Sequence, residues 1–196
     1  WNESVLENYY RASQPLYTTQ IFIPSMGADA APKAFGVGKI VQPRLWMAHY
    51  KGQVVPPSAG KWRFWGMADN LLCVAVNGKI VLISNLGGAR IPGVPWKPPE
   101  PPGQLFGKQS RLTAGDWMEM RAGEPFDLDV LIGEIPGGRF ASFLLIEKQG
   151  EAYETVNGYP AYPIFQLAPF DTPPPKDPLA PCPRFARDGP VWKGVQ

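Results

Sequence analysis

Apolar and polar residues alternate over short stretches of this chain, which is the pattern of half-buried β-strands. Glycine, proline and asparagine separate most of these stretches, and these residues favour turns. The pattern predicts strands at 16–23, 45–55, 61–66, 71–76, 79–83, 126–132, 140–147 and 161–168. Seven or more short strands with turns between them indicate an all-β fold, a two-sheet antiparallel β-sandwich.

The clearest local signal is a β-hairpin centred on Asn77 and Gly78. Both residues tolerate the positive φ angles of a type I′ turn, and apolar strands flank them. Trp62 and Phe64 lie on one side of an earlier strand, and we expect Val74 to face them from the neighbouring strand. This part of the chain therefore predicts the best-packed region of the fold.

Helical signals are confined to the region near the N-terminus. Ser4 and Glu7 have the spacing of a capping box, which predicts a short helix over 2–13, although a single turn would also satisfy the pattern. The segment 25–35 is compatible with one further helical turn. We therefore expect short helical turns and no long helix.

Two segments are rich in proline. Residues 84–115 contain six prolines, and residues 169–196 contain eight. Strands resume after the first segment, so we interpret 84–115 as a long Pro-rich loop insert rather than as a linker between domains. We expect 169–196 to form a Pro-rich extended tail that lies over the sandwich.

The composition fits one folded domain over residues 1–196. Hydrophobic residues make up 44% of the chain, which is enough to build a core at this length. The 21 glycines and 24 prolines argue against a helical bundle, because proline removes a helical hydrogen-bond donor and glycine is entropically costly in a helix.

Charge and apolar run lengths exclude two classes of partner. The formal net charge is +2 and the basic residues are scattered, whereas nucleic-acid binders cluster them on one face. The longest uncharged apolar stretch, 70–78, is far shorter than the ~20 residues that cross a bilayer. We therefore expect neither a nucleic-acid partner nor a membrane-spanning segment in this chain.

A succession of short motifs between residues 52 and 78 carries a family resemblance. The motifs are Gly52-Gln53-Val54, Pro56 to Gly60, Lys61-Trp62-Arg63-Phe64, Ala68-Asp69-Asn70 and Val74 to Lys79. They resemble the protective-antigen-type β-sandwich domain, a module of the anthrax protective antigen, of yeast flocculins and adhesins, and of inserts in bacterial glycosidases. A second stretch, 122–134, is similar to a turn and strand of the same family. The resemblance covers about 45–147 and leaves out both termini.

The resemblance implies a non-catalytic module that binds glycan or another surface component in a secreted, periplasmic or cell-surface protein. In carbohydrate-binding members, two adjacent aspartates hold calcium across a cis peptide, and the calcium presents sugar hydroxyls. Counting back from the hairpin places this pair at Asp69 and Asn70. The Asn70 carbonyl suits Ca²⁺, but the asparagine removes one negative charge. No cofactor is thus required, and a weak calcium site and a purely structural turn both stay open.

A second hypothesis is a structural or assembly module. Its Pro-rich loop and tail would then bind protein partners in a cell-envelope complex. The environment of Asp69 and Asn70 separates the two hypotheses. An open, oxygen-lined site there favours glycan, and a site covered by the chain itself favours assembly.

The sequence carries no strong signal of catalysis. Asp127 and Asp129 share one strand face and could suggest glycoside hydrolysis, but a solvated strand face explains them better. The single histidine, His49, lies mid-strand and is not accompanied by a nucleophile motif. The tryptophans are dispersed, which favours core and anchoring positions over one sugar-stacking surface. We therefore expect this protein not to be an enzyme.

The two cysteines, Cys73 and Cys182, have no metal-ligand spacing. An even number of cysteines in a domain expected outside the cytoplasm is compatible with a disulfide between them. Cys73 also lies in an apolar strand, where a free cysteine behaves as a small hydrophobic residue. A bridge and two separate thiols therefore remain alternatives.

Overall fold

The computed structural model describes residues 3–85, 93–107, 110–135, 138–169 and 181–195. Its strands are β1 (Phe22–Gly27), β2 (Trp46–Val55), β3 (Gly60–Asp69), β4 (Leu71–Val76), β5 (Lys79–Ser84), β6 (Leu105–Phe106), β7 (Ser110–Arg111), β8 (Thr113–Ala114), β9 (Met118–Met120), β10 (Phe126–Glu134), β11 (Arg139–Lys148), β12 (Thr155–Val156), β13 (Tyr159–Pro160) and β14 (Lys193–Val195). Its helices are a 3-10 turn (Glu3–Asn8) and α1 (Ala30–Ala34).

Two five-stranded antiparallel sheets form the body of the domain. We call the first the front sheet; its order is β1-β11-β3-β8, with β9 also paired to β3. The back sheet has the order β14-β2-β10-β4-β5. This architecture confirms the predicted all-β, two-sheet antiparallel sandwich.

The main core lies between the two sheets. Trp62 and Phe64 of β3 and Val74 of β4 are all buried there. Because β3 belongs to the front sheet and β4 to the back sheet, these residues face each other across the core. The expectation that they pack as neighbours within one sheet was therefore wrong. Alternation shows which side of a strand is buried, but it does not show which strands pair.

A third layer covers the outer face of the front sheet. Trp65 and Phe143 point outward from β3 and β11 and pack with Phe106, Leu112 and the C-terminal segment. The Pro-rich insert therefore contains short strands, β6 to β8, and is not a plain loop. These strands form because the front sheet leaves a second apolar face that the insert buries.

The C-terminal segment is part of the sandwich and does not simply lie over it. Trp192 is fully buried in the main core, where its ring packs edge-on against Trp62 at 5.0 Å. The following strand, β14, pairs with β2 at the edge of the back sheet. The predicted strand over 161–168 forms only isolated bridges, among them Gln166 with Gln20 and with Val191. These bridges join the segment that precedes β1 to the segment that precedes β14.

The N-terminal predictions need two corrections. The helix expected over 2–13 is only the 3-10 turn (Glu3–Asn8). The strand expected over 16–23 begins instead at Phe22 and runs through Pro24. Proline is tolerated because β1 is an edge strand, and its register shifts between Ile23 and Met26.

The two cysteines are separate thiols in this structure. Cys73 lies in a small cluster with Ile83 and Leu131 on the back sheet, and Cys182 packs in the third layer over the front sheet. The sandwich separates them, so the alternative of a disulfide is not realised. Burial raises the pKa of each thiol to about 12. None of the described helices has the length and apolar character needed to cross a membrane.

Candidate functional site

The predicted pair, Asp69 and Asn70, lies at one end of the sandwich. Asp69 is the last residue of β3 and Asn70 precedes β4, so the pair carries the chain from the front sheet to the back sheet. The peptide bond between them is cis, as the family resemblance implies. Both residues are half-buried.

Asn70 ties this connection to the end of β10. Its backbone N–H donates to the carbonyl of Gly133 at 3.1 Å. Its side-chain Oδ1 accepts a hydrogen bond from the N–H of Ile135 at 2.8 Å. An amide oxygen has two lone pairs, so Oδ1 keeps one acceptor position. Asn70 thus has the role of a turn residue that bonds a backbone donor.

Asp69 has no comparable bond. Among the residues that the structure describes, no group donates a hydrogen bond to its carboxylate, and burial raises the pKa of Asp69 above its ordinary value. A carboxylate without donors is poorly stabilised in a partly buried place. The residue that secures the turn is therefore Asn70, and Asp69 contributes an acceptor that the turn does not use.

Glu134, which the sequence analysis missed, completes the site. It is the last residue of β10 and only 2% exposed, and its Oε2 has no hydrogen-bond partner in the described parts of the chain. Burial and the nearby charge of Asp69 raise the pKa of Glu134 to about 7. The alternation of β10 could have revealed it, because Glu134 has the same inward parity as Val130 and Ile132. We call Asp69, Asn70 and Glu134 the acidic recess.

Residues whose backbones lie next to Gly133 and Glu134 carry exposed aliphatic side chains. Leu45 donates its N–H to the carbonyl of Glu134 at 2.8 Å and has a left-handed backbone, with φ 59°. Leu45 is 69% exposed, Ile135 is 50% exposed, and Met47, paired with Gly133, is 42% exposed. We call Leu45, Met47 and Ile135 the aliphatic rim.

The donor set of the acidic recess suits a hard cation. Calcium prefers carboxylate and carbonyl oxygens, and the recess offers two carboxylates and one amide oxygen. The unpartnered Oε2 of buried Glu134 is the acceptor that a cation would satisfy. Within the described ranges, no group of three or more His, Cys, Asp or Glu side chains could hold a metal. Asn70 and further ligands from outside the protein would therefore have to complete the coordination.

The other candidates are engaged in the back sheet. Nε2 of His49 lies 2.8 Å from Oδ1 of Asp129, and Oδ1 of Asp127 accepts from Nε2 of Gln53 at 3.0 Å. Asp127 is exposed, as the interpretation of a solvated strand face predicts. For Asp129 that interpretation was wrong, because Asp129 is only 8% exposed and its carboxylate contacts His49.

No protein-family model matches the sequence, and no curated protein matches it either. Two solved structures are similar. The "PA14 sugar-binding domain from RTX adhesin" is 17% identical, with a TM-score of 0.42 over 69% of this chain and 71% of that one. The PA14 domain of the MpAFP antifreeze protein is 12% identical, with a TM-score of 0.46 over 76% of this chain and 69% of that one. Both are PA14 domains, which is the protective-antigen type of β-sandwich that the sequence resembles, and the likeness concerns the fold alone.

Proposed function

We propose that this domain is a non-catalytic glycan-binding module of a secreted, periplasmic or cell-surface protein, and that the acidic recess is its binding site. One observation carries the proposal: a buried carboxylate oxygen of Glu134 has no partner, and it lies beside the charge of Asp69. Leaving such a group unsatisfied is costly, so a ligand that satisfies it gains that free energy.

We further propose that calcium is the group that satisfies this oxygen. Asp69, Glu134 and the amide oxygen of Asn70 would hold it, and Glu134 would supply the negative charge that Asn70 lacks. A bound calcium ion accepts hydroxyl oxygens as additional ligands. Because Asp69 and Asn70 are half-buried and not covered, a sugar in solution could reach them.

The burial of Glu134 argues against an enzyme at this position. An acid with a raised pKa beside a second carboxylate is also the arrangement of a glycosidase. A general acid, however, must come within hydrogen-bond distance of the substrate oxygen. Glu134 is 2% exposed, so a bare ion fits beside it more readily than a glycosidic oxygen does.

A calcium titration of the melting temperature tests the proposal. Calcium should raise the melting temperature of the native protein, because a ligand that binds only the folded state stabilises it. Glu134→Gln and Asp69→Asn should abolish the rise. Asp127→Asn is the matched control, since it changes an exposed carboxylate on the back sheet, and it should respond like the native protein.

Glycan-array binding tests the second half of the proposal. Binding that disappears with a chelator and in Asp69→Asn would support a calcium-dependent glycan site. Binding that survives both changes would contradict the role of the recess, and an empty array together with a melting temperature blind to calcium would contradict the whole proposal.

The aliphatic rim favours the assembly module as the second candidate. Clustered exposed apolar side chains often mark protein interfaces, and Leu45, Met47 and Ile135 are all exposed beside the recess. An envelope-protein partner would then bind this end of the sandwich. Leu45→Ser with Ile135→Ser should abolish capture of such a partner, whereas a calcium-dependent glycan site would keep its melting response.

A further inference from the structure

The outer face of the front sheet carries a second charged cluster, built around Arg63. Its side chain is only 7% exposed. The guanidinium carbon lies 4.8 Å from the ring centre of Trp65 and 4.3 Å from that of Trp117. Two aromatic rings therefore hold the guanidinium in one place, an arrangement in which its N–H donors are pre-organised for carboxylates.

Two carboxylates contact this guanidinium, and they differ in how they are held. Glu147 lies opposite Arg63 on β11. Its Oε2 accepts from Nε of Arg63 at 2.5 Å and from Nε1 of Trp65 at 2.6 Å, so it belongs to the sheet. Glu100 comes from the Pro-rich insert, outside any strand, and its Oε1 lies 2.9 Å from a terminal nitrogen of Arg63. The Glu100 side chain is 39% exposed.

We propose that Arg63, with Trp65 and Trp117, is a binding site for a carboxylate group, and that Glu100 fills this site from within the chain. The ligand class is a small carboxylate, presented by a sugar acid or by an acidic side chain. It binds by replacing the Glu100 carboxylate at the terminal nitrogen of the guanidinium. The site is separate from the acidic recess and does not depend on calcium.

The site does not need Glu100 for its shape. Glu147 and the two rings hold Arg63 in place whether or not Glu100 is present. The insert has its own attachments to the front sheet, because β8 pairs with β3 and because Phe106 and Leu112 pack against Trp65 and Phe143. A Cβ at Gly103 would come within 2.5 Å of the Trp65 ring, which shows how closely the insert backbone lies on the sheet. Shortening Glu100 thus opens a small space beside Arg63 and leaves the insert docked.

The internal carboxylate sets the apparent affinity of the site. A group tethered to the same chain competes at an effective concentration in the millimolar range or above. An external carboxylate therefore binds the native protein weakly. When Glu100 is removed, the same ligand should bind at least about tenfold more tightly.

Chemical rescue of Glu100→Ala tests the proposal. Glucuronate and glutarate, each at constant ionic strength, should raise the melting temperature of Glu100→Ala by more than they raise that of the native protein. Glucose, the neutral partner of glucuronate, should have no effect. A response to glucuronate assigns the site to sugar acids, and a response to glutarate alone assigns it to acidic side chains.

Two variants separate rescue from a general effect of salt. Glu100→Gln keeps the space filled and should not be rescued. Glu124→Ala loses an exposed contact with Arg121 and should also be unaffected. Equal responses of all three variants would overturn the proposal. If Glu100→Ala does not fold, the indole N–H resonance of Trp65 in the native protein tests the proposal instead. A high concentration of glucuronate should shift this resonance, and glucose should not. The absence of a shift with glucuronate would also overturn the proposal.

Discussion

The acidic recess and the Arg63 cluster each contain two carboxylates. Those of the Arg63 cluster are paired with a cation, and those of the recess are not paired with one within the described part of the chain. In the Arg63 cluster, both carboxylates contact a guanidinium, and Trp65 adds a third donor. In the recess, no cation among the described residues contacts Asp69 or Glu134, and their pKa values are raised by burial. A buried charge is stable when it is paired and costly when it is not. This difference supports the proposal that the recess binds a cation from outside the protein.

The largest expected effect comes from breaking the complete cluster. Arg63→Ala leaves Glu147 largely buried without its cation, which should lower the free energy of unfolding by about 3–5 kcal/mol. Urea denaturation measures this change. Arg121→Ala, whose side chain is 82% exposed in its contact with Glu124, should change the same quantity by less than about 1 kcal/mol. Equal losses in the two variants would contradict the distinction between buried and exposed pairs.

The next largest effect should be the pH dependence that Glu134 gives to the free energy of unfolding. The folded state raises the pKa of Glu134 from 4.5 to about 7, so it favours the protonated carboxyl. This contribution to stability is fully present below the unfolded pKa and is lost as pH rises through about 7. In the absence of calcium, we expect a loss on the order of 1–3 kcal/mol between pH 4.5 and 8. In Glu134→Gln, the free energy of unfolding should not fall in this way as pH rises. A pH dependence equal to that of the native protein would contradict the attribution to Glu134.

In the absence of calcium, Asn70 and Asp69 should contribute differently to the stability of the domain. Asn70→Ala removes the acceptor for the N–H of Ile135, which should cost about 1–2 kcal/mol. Asp69→Ala removes an acceptor without donors and a charge near Glu134, so its cost should be close to zero. Chemical denaturation in the presence of a chelator compares the two. A larger loss in Asp69→Ala would show that the turn depends on the aspartate.

A small effect on stability should also come from Glu100, the exposed carboxylate of the Arg63 cluster. Glu100→Gln loses one charge from a pair in which Glu100 is 39% exposed, so stability should fall by no more than about 1 kcal/mol. Hydrogen exchange should rise within the insert and stay unchanged in β3. A loss of stability comparable to that of Arg63→Ala would show that Glu100 is as important to the sheet as Glu147, and would contradict its role as an exchangeable partner of Arg63.

The family resemblance located only part of the candidate site. Asp69 and Asn70 could be predicted because a local motif and its distance from the Asn77-Gly78 turn identify them. Glu134 lies 64 positions farther along the chain from Asn70, and no local pattern connects the two. Its inward parity on β10 indicated burial, but nothing in the sequence showed that its neighbour would be Asp69. The cost of two neighbouring acids appears only when both sheets are assembled.

The sequence by itself determined the main turn and the six strands β2, β3, β4, β5, β10 and β11. The predicted 71–76 strand is β4, and Asn77 and Gly78 have φ angles of 48° and 76°, as a type I′ turn requires. Strand alternation and turn conformation are local properties, set by each residue and its immediate neighbours. Only the tertiary structure decided that β3 and β4 belong to different sheets and that Trp192 enters the core. Such choices depend on which apolar faces remain uncovered after the sheets pair, and that is a property of residues far apart in the chain.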